Sequence, residues 1–327
     1  MGTQRMVTIV IAGILVLAVG LAAWLYTPDR PLAALEAKYL AAPSDYVTVA
    51  GLKLHVRDTG LPVRDAGPRD LGPKSGPGDG KTIILIHGLG ASLHTWEPWA
   101  QSFAAQSYRV IRYDLPGHGL TGPDPTGLYT EERAIEVLLA LMDAANVTRA
   151  TLIGNSIGGR LAWRFAAAHP ARVDKLVLIS PDGFASPGYD YGKAASVPSI
   201  MALMTVALPK SMLRDNIAIA YADPARLTAG TLDRYYDLML APGVRSAMLA
   251  RMEQTILVPP EPLLATITAP TLLLWGEKDG MIPITNASDY LKAMPNAQLA
   301  QLPALGHVPH EEAPTEALAP VLAFLGR

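Results

Sequence analysis

Six short, continuously apolar runs alternate with helix-like segments along most of this chain, and that alternation limits its possible folds more than any other feature. The runs are TIILIHG (82–88), YRVIRYD (108–114), ATLIGN (150–155), KLVLIS (175–180), TLLLWG (271–276) and AQLAQLP (297–303). Helical periodicity lies between most of them, around 96–105, 131–145, 157–169 and 284–294, and a last helix runs from about 314 to 325. Strands that are apolar at every position are buried on both faces. The pattern therefore predicts an α/β protein with a mostly parallel sheet and helices on both faces. Upstream, DYVTVAGLKLHVRDTG holds two alternating runs around Ala50-Gly51 and predicts a β-hairpin. The stretch from Leu61 to Gly80 is dense in Gly, Pro and charge. It reads as a mobile surface loop within one domain, because strand patterning resumes directly after it.

One interval breaks the rhythm. Between Ser180 and Thr271 the periodicity is helical and no convincing strand occurs, which predicts a helical cap at about 184–268 inserted over the sheet. Six of the eleven methionines fall there: Met201, Met204, Met212, Met239, Met248 and Met252. Most are expected to fill small-helix cores, while some could line an adaptable apolar pocket.

The N-terminus carries a second constraint. Met6 to Tyr26 is a 21-residue run without charge. As a helix rising ~1.5 Å per residue, it is long enough for a hydrocarbon core of ~30 Å. Trp24 and Tyr26 fall at an interface position, and Pro28 ends the run. The expected organisation is a single-pass signal-anchor over 1–27, a stalk over 28–44 and a globular body over 45–327 outside the cytoplasm. A cleaved signal, giving a secreted body, is the competing reading, but its apolar region is usually only ~7–15 residues.

Composition removes other classes. The net charge is −2 with no long basic run, which argues against a nucleic-acid partner. The absence of cysteine excludes disulfides, thiolate metal sites, a cysteine nucleophile and a lipidated-cysteine anchor.

The stretch GNSIGG (154–159) closes one apolar strand and opens a helix. Gly154 and Gly158 make a sharp strand-to-helix turn sterically possible, and such a turn would present Ser156 at the C-terminal edge of the sheet. A nucleophilic serine needs a base, and the base needs an acid that holds its tautomer. In sheets of this kind the chain order is Ser, acid, His. Asp279, in WGEKDGMIP, and His307, in QLPALGHVPHEEAP, both follow strand ends in that order. Asp182 in LISPDGF is an alternative acid, and Glu277 a weaker one. His310 is expected as a partly exposed residue at a helix start. An oxyanion hole would use the N–H of Ile157, after the nucleophile, and of Leu89 in HGLG. His87 and Asp114, the latter near Arg112, read as structural. This constellation calls for no metal and no cofactor.

Together HGLGASLHTW, YDLPGHGLTG, GNSIGG, WGEKDGMIP and GHVPHEEAP resemble the α/β-hydrolase superfamily over roughly 45–327. The resemblance implies an eight-stranded sheet, a cap after strand six, and the roles already assigned to Ser156, Asp279, His307, Leu89 and Ile157. A serine nucleophile disfavours the dehalogenase and epoxide-hydrolase branch. GNSIGG followed by LVLISPDGF is similar to the meta-cleavage-product hydrolases, which cleave C–C bonds. Those usually carry a Gly-Pro-Gly-type loop and a tryptophan after the histidine, where this chain has HGLGAS and Val308-Pro309. Arg214, Arg245 or Arg251 could bind a carboxylate in such a substrate. The expected activity is carboxylic-ester hydrolysis of a lipophilic or small organic substrate, with C–C hydrolysis as the alternative. A non-catalytic, membrane-tethered binding protein is the alternative of another class.

Overall fold

The computed structural model describes residues 2–41, 45–59, 82–185 and 190–326. The Gly- and Pro-rich stretch read as a surface loop (61–80) lies outside the described residues.

The strands are β1 (Tyr46–Val49), β2 (Leu52–Thr59), β3 (Thr82–Ile86), β4 (Arg109–Tyr113), β5 (Ala150–Asn155), β6 (Val173–Ile179), β7 (Thr271–Gly276) and β8 (Ala297–Leu302). They form one sheet in the order β1-β2-β4-β3-β5-β6-β7-β8. β2 runs antiparallel to both its neighbours, and every other pairing is parallel. The hairpin turns at Ala50 and Gly51, both with positive φ (49° and 76°), which suits the twist of a two-residue connection.

The helices are α1 (Gly2–Leu25), α2 (Leu32–Tyr39), α3 (Glu97–Ala105), α4 (Glu131–Ala144), α5 (Ile157–Ala168), α6 (Lys210–Ala218), α7 (Ala229–Met239), α8 (Val244–Gln254), α9 (Glu261–Leu264), α10 (Thr285–Ala293), α11 (Pro309–Glu312) and α12 (Pro314–Leu325). α4 starts on a capping threonine, whose Thr130 Oγ1 accepts from the Arg133 N–H, with Glu131 and Glu132 in its first turn.

The central strands are apolar throughout because alternate side chains enter two different cores. Ile84, Ile86, Leu152, Leu178 and Trp275 pack with α4, α5 and α10 on one face. Ile83, Leu85, Ile153, Val177 and Leu274 pack with Trp99 and Phe103 of α3 and Val321 and Phe324 of α12 on the other. This sandwich fixes the register of β3, β5, β6 and β7, and so aligns their C-terminal ends along one edge.

Between β6 and β7 the described residues add no strand to the sheet. They form a 3₁₀ turn (Ser199–Thr205) and then α6, α7, α8 and α9. Leu264 and Ile267, around the end of α9, are buried in the core shared with α5 and α10, so the chain has rejoined the body by then.

α2 does not stand free of the body. Leu35 and Tyr39 are buried against Leu208, Leu213 and Leu238. Asp237 of α7 accepts from Lys38 Nζ and Tyr39 Oη, each at 2.7 Å, and pairs with Arg30 at 2.6 Å. Arg245 pairs with Asp29 at 2.6 Å. α1 is a 24-residue helix whose described apolar side chains before Leu25, among them Ile9, Ile14 and Leu17, are exposed. Among the described residues, which leave out the side chains at 3, 4, 18, 21, 22 and 24, no helix is long and apolar enough to cross a membrane.

Candidate active site

Ser156 sits between β5 and α5 with φ 55° and ψ −121°, a conformation costly for a residue with a Cβ. The glycines around it are there because nothing larger fits. A Cβ on Gly154 would lie 2.2 Å from the Gly158 carbonyl oxygen, and one on Gly158 would lie 2.3 Å from that of Ile86. The third glycine, Gly159, also has a task the sequence did not disclose, since its Cβ would meet Pro181 at 2.9 Å. The turn is pinned by the Ser156 N–H donating to the Ile179 carbonyl at 3.0 Å.

His307 lies in the loop between β8 and α11, 3% exposed, and its Nδ1 is 2.8 Å from Asp279 Oδ2. Asp279 Oδ1 accepts the backbone N–H groups of Met281 and Ile282, both at 2.8 Å. A carboxylate can only accept, so His307 carries its proton on Nδ1 and leaves Nε2 to accept another. The alternative acids are spent elsewhere: Asp182 pairs with Arg160 Nε at 3.1 Å, and the Glu277 side chain is exposed.

Two further residues hold the histidine loop, and sequence reasoning missed both. Asn155 Nδ2 donates to the His307 carbonyl at 2.9 Å and to that of Ile179 at 3.2 Å, tying the serine turn to the histidine loop. Glu312 is buried; it accepts the Gly306 N–H at 2.7 Å and the Asp223 N–H at 2.9 Å. The His307 N–H also donates to the Ala220 carbonyl at 2.8 Å, so the loop leans on the segment between β6 and β7.

Leu89 and Ile157 flank Ser156. Among the described residues, neither backbone N–H has a protein acceptor. Both stand at the cavity wall, where they could receive a developing oxyanion. His87 is completely buried, with Nε2 accepting the Leu115 N–H at 2.9 Å and Nδ1 donating to the Gly88 carbonyl at 2.7 Å. Both ring nitrogens are occupied and burial lowers its pKa, so His87 fixes the Leu89 loop and is not a base. Asp114 likewise holds turns, accepting from Leu93 N, Leu120 N and His55 Nδ1 at 2.7–2.8 Å. Arg112 instead pairs with Glu97 at 2.7 Å.

His310 departs from expectation. It does stand at a helix start, in α11, but it is 1% exposed and stacked on Trp96 with ring centres 4.1 Å apart. Burial, and then the nearby His307 and Arg234, lower its pKa to about 3.

Ser156, His307, Leu89 and Met281 stand at the junction of two cavities. One, of about 200 Å³, is largely apolar and bounded by Leu213, Ile217, Tyr235, Met239 and Met248. The other, of about 210 Å³, is lined by Arg160, Asp182, Phe184, Arg251 and Asn286 among others. Met239, Met248 and Met252 thus line cavities, whereas Met212 is 56% exposed. Of the three candidate arginines only Arg251 reaches the site; Arg245 serves Asp29, and Arg214 pairs with Asp215 at 2.8 Å on the surface. Among the described residues no cluster of His, Cys, Asp and Glu could hold a metal ion.

The doubly covered sheet and the serine turn at its C-terminal edge define a class. A family model for the α/β-hydrolase fold matches residues 81–314. The chain belongs to the α/β-hydrolase family and is a hydrolase. It is 28% identical over 244 residues to the 2-hydroxy-6-oxononadienedioate/2-hydroxy-6-oxononatrienedioate hydrolase 1 of Dechloromonas aromatica, spanning 69% of this chain and 80% of that one. The meta-cleavage product hydrolase of Pseudomonas fluorescens superposes with TM-score 0.67 at 23% identity, covering 86% of this chain and 97% of its own. A bacterial membrane phospholipase A superposes with TM-score 0.68 at 24% identity, covering 98% of both chains.

Proposed function

We propose that this hydrolase cleaves carboxylic esters of lipophilic substrates through an acyl-enzyme, with Ser156 as nucleophile, His307 as general base and Asp279 as its acid partner. The observation that carries the reading is the 2.8 Å contact from His307 Nδ1 to Asp279, which leaves Nε2 as an acceptor at the cavity where Ser156 is presented. In the forward step His307 Nε2 takes the Ser156 proton as Oγ attacks the ester carbonyl. Asp279 stabilises the imidazolium, and the Leu89 and Ile157 N–H groups receive the oxyanion. The imidazolium then protonates the departing alcohol. Water, activated by the same histidine, releases the acid. The apolar cavity bounded by Leu213, Ile217 and the two methionines suits an acyl chain.

Turnover of p-nitrophenyl butyrate tests this. Ser156→Ala is expected to lose at least about 10³-fold in kcat, and unchanged turnover would sink the assignment. Hydrolysis of C–C bonds is the second reading. It is favoured by the likeness to the Dechloromonas hydrolase and by Arg251, which lines the same cavity as Ser156. A ring-fission C–C substrate run beside the ester separates the two.

We further propose that 1–27 is a single-pass anchor, with 28–44 as its stalk and the body 45–327 outside the cytoplasm. The 21-residue uncharged run, the exposed apolar side chains of α1 and the end-to-end likeness to a membrane phospholipase A support this reading. Partition of the full chain into carbonate-washed membranes tests it, and recovery in the soluble fraction would refute it.

A further inference from the structure

A cluster of charges sits behind the polar arm of the site, and its signs do not balance. Arg160 pairs with Glu131 and with Asp182 at 3.1 Å, and Arg164 pairs with the same Glu131 at 2.8 Å. Glu132, which also meets Arg164, is 76% exposed and outside the cluster. Arg251 of α8 joins this group across a void of about 20 Å³ that it shares with Glu131 and Arg160. Three guanidinium groups therefore meet two carboxylates.

Arg251 holds the excess charge. It is 9% exposed, donates from Nη2 to the Pro116 carbonyl at 3.0 Å and lies 5.9 Å from the Tyr129 ring centre. Its Nε is buried with no partner, and it forms no ion pair among the described residues. Burial, and then the neighbouring Arg160, depress its pKa to about 10, so its surroundings oppose the charge. A buried guanidinium with an unpartnered Nε and a second cation beside it is an expensive arrangement, which Glu131 across the void offsets only in part. The fold could have avoided it with an apolar residue. Arg251 nevertheless lines the cavity that contains Ser156 and His307, with Asn286 on the same wall.

We propose that Arg251 makes the polar arm an anion subsite: it recognises a compact anionic oxygen group, carboxylate or phosphate, carried by the same ester whose acyl chain fills the apolar arm. This rests on the ester-hydrolase reading and narrows it to esters that are lipophilic at one end and anionic at the other. A planar guanidinium suits either group, because both offer two oxygens to its fork. Arg160 is the second cation at the arm, but Glu131 and Asp182 already neutralise it, so discrimination falls to Arg251.

The test uses the full-length chain and two matched ester pairs, at submicellar concentration. In one pair, 1-octanoylglycerol 3-phosphate is compared with 1-octanoylglycerol; in the other, octanoyl glycolate with 2-hydroxyethyl octanoate. The wild-type protein is expected to prefer the anionic member of at least one pair by about tenfold or more in kcat/KM, the worth of a charge-assisted hydrogen bond. Which pair shows the preference tells phosphate from carboxylate. Arg251→Met should bring that ratio towards one, and Arg251→Lys should retain part of it. A wild-type ratio near one in both pairs, with the neutral esters turned over, overturns the subsite and leaves the esterase reading intact. So does an unchanged ratio in Arg251→Met. No turnover of any of the four esters strikes the esterase reading instead. The subsite is then judged by calorimetric binding of octyl phosphate to folded Ser156→Ala protein. Binding about tenfold weaker once Arg251→Met is added supports it, and equal binding overturns it.

Discussion

Replacing Asp279 by asparagine separates the role of its charge from that of its shape. The Asn Oδ1 can still accept the Met281 and Ile282 N–H groups, each 2.8 Å away in the native turn, so the loop keeps its anchor. The other carboxylate oxygen, 2.8 Å from His307 Nδ1, becomes an NH₂ group. Two donors cannot bond, so the imidazole relieves the clash by moving its proton to Nε2. In that tautomer His307 presents an N–H to Ser156 and has no lone pair with which to take its proton. The expected loss is about 10³–10⁴-fold in kcat/KM, or about 4–5.5 kcal/mol at ~1.36 kcal/mol per decade. Stability should fall by only about 1–2 kcal/mol, because one charge-assisted hydrogen bond is lost and no cavity is made. The assay is p-nitrophenyl butyrate turnover, with thermal unfolding measured on the same preparations. Asp182→Asn serves as the control, since that carboxylate is engaged by Arg160 at 3.1 Å. A loss below about tenfold in Asp279→Asn, or a larger loss in Asp182→Asn, would refute the acid assignment.

Two further outcomes follow from the packing. Gly158→Ala places a Cβ 2.3 Å from the Ile86 carbonyl oxygen and should destabilise the fold by about 1–3 kcal/mol, read as a lowered Tm; an unchanged Tm would mean the turn has room to spare. His310 is neutral in the folded protein, with its pKa lowered from 6.5 to about 3, so below pH 6.5 the unfolded chain takes up a proton that the folded one refuses. Its contribution is complete above pH 6.5 and is lost as pH falls towards 3. At pH 5 the cost is about 2 kcal/mol, at ~1.36 kcal/mol per pH unit. Urea midpoints at pH 7 and pH 5 check this: His310→Gln should show a shallower decline than wild type, and an equal decline would contradict it.

Much of the architecture was legible because it is written in local patterns. Continuous apolarity in β3, β5, β6 and β7 reports burial on two faces, and GNSIGG reports a turn that only glycine permits. Ser156, Asp279 and His307 could be found because each follows a strand end, and parallel strands share one C-terminal edge. What the sequence hid depends on contacts between distant segments. Asp182 and Asp279 occupy equivalent strand-end positions, and contacts with distant segments distinguish them: Arg160 on α5 engages Asp182, whereas His307 meets Asp279. His310 looks like a surface residue by its place at a helix start, but Trp96, more than two hundred residues earlier, covers it. The bridge from Asn155 to the His307 carbonyl spans 152 residues and leaves no periodic trace. The attachment of α2 through Asp237 is similarly long-range, because a short polar helix looks alike whether or not a partner waits for it.

The central claim is that Ser156 is a nucleophile activated by its turn and by His307. The most direct test is to treat the folded full-length chain with a fluorophosphonate and locate the adduct by peptide mass spectrometry. The account predicts a single adduct on the peptide containing Ser156, lost in Ser156→Ala and strongly slowed in Asp279→Asn. A folded protein that stays unlabelled, or one labelled at another serine, would contradict it.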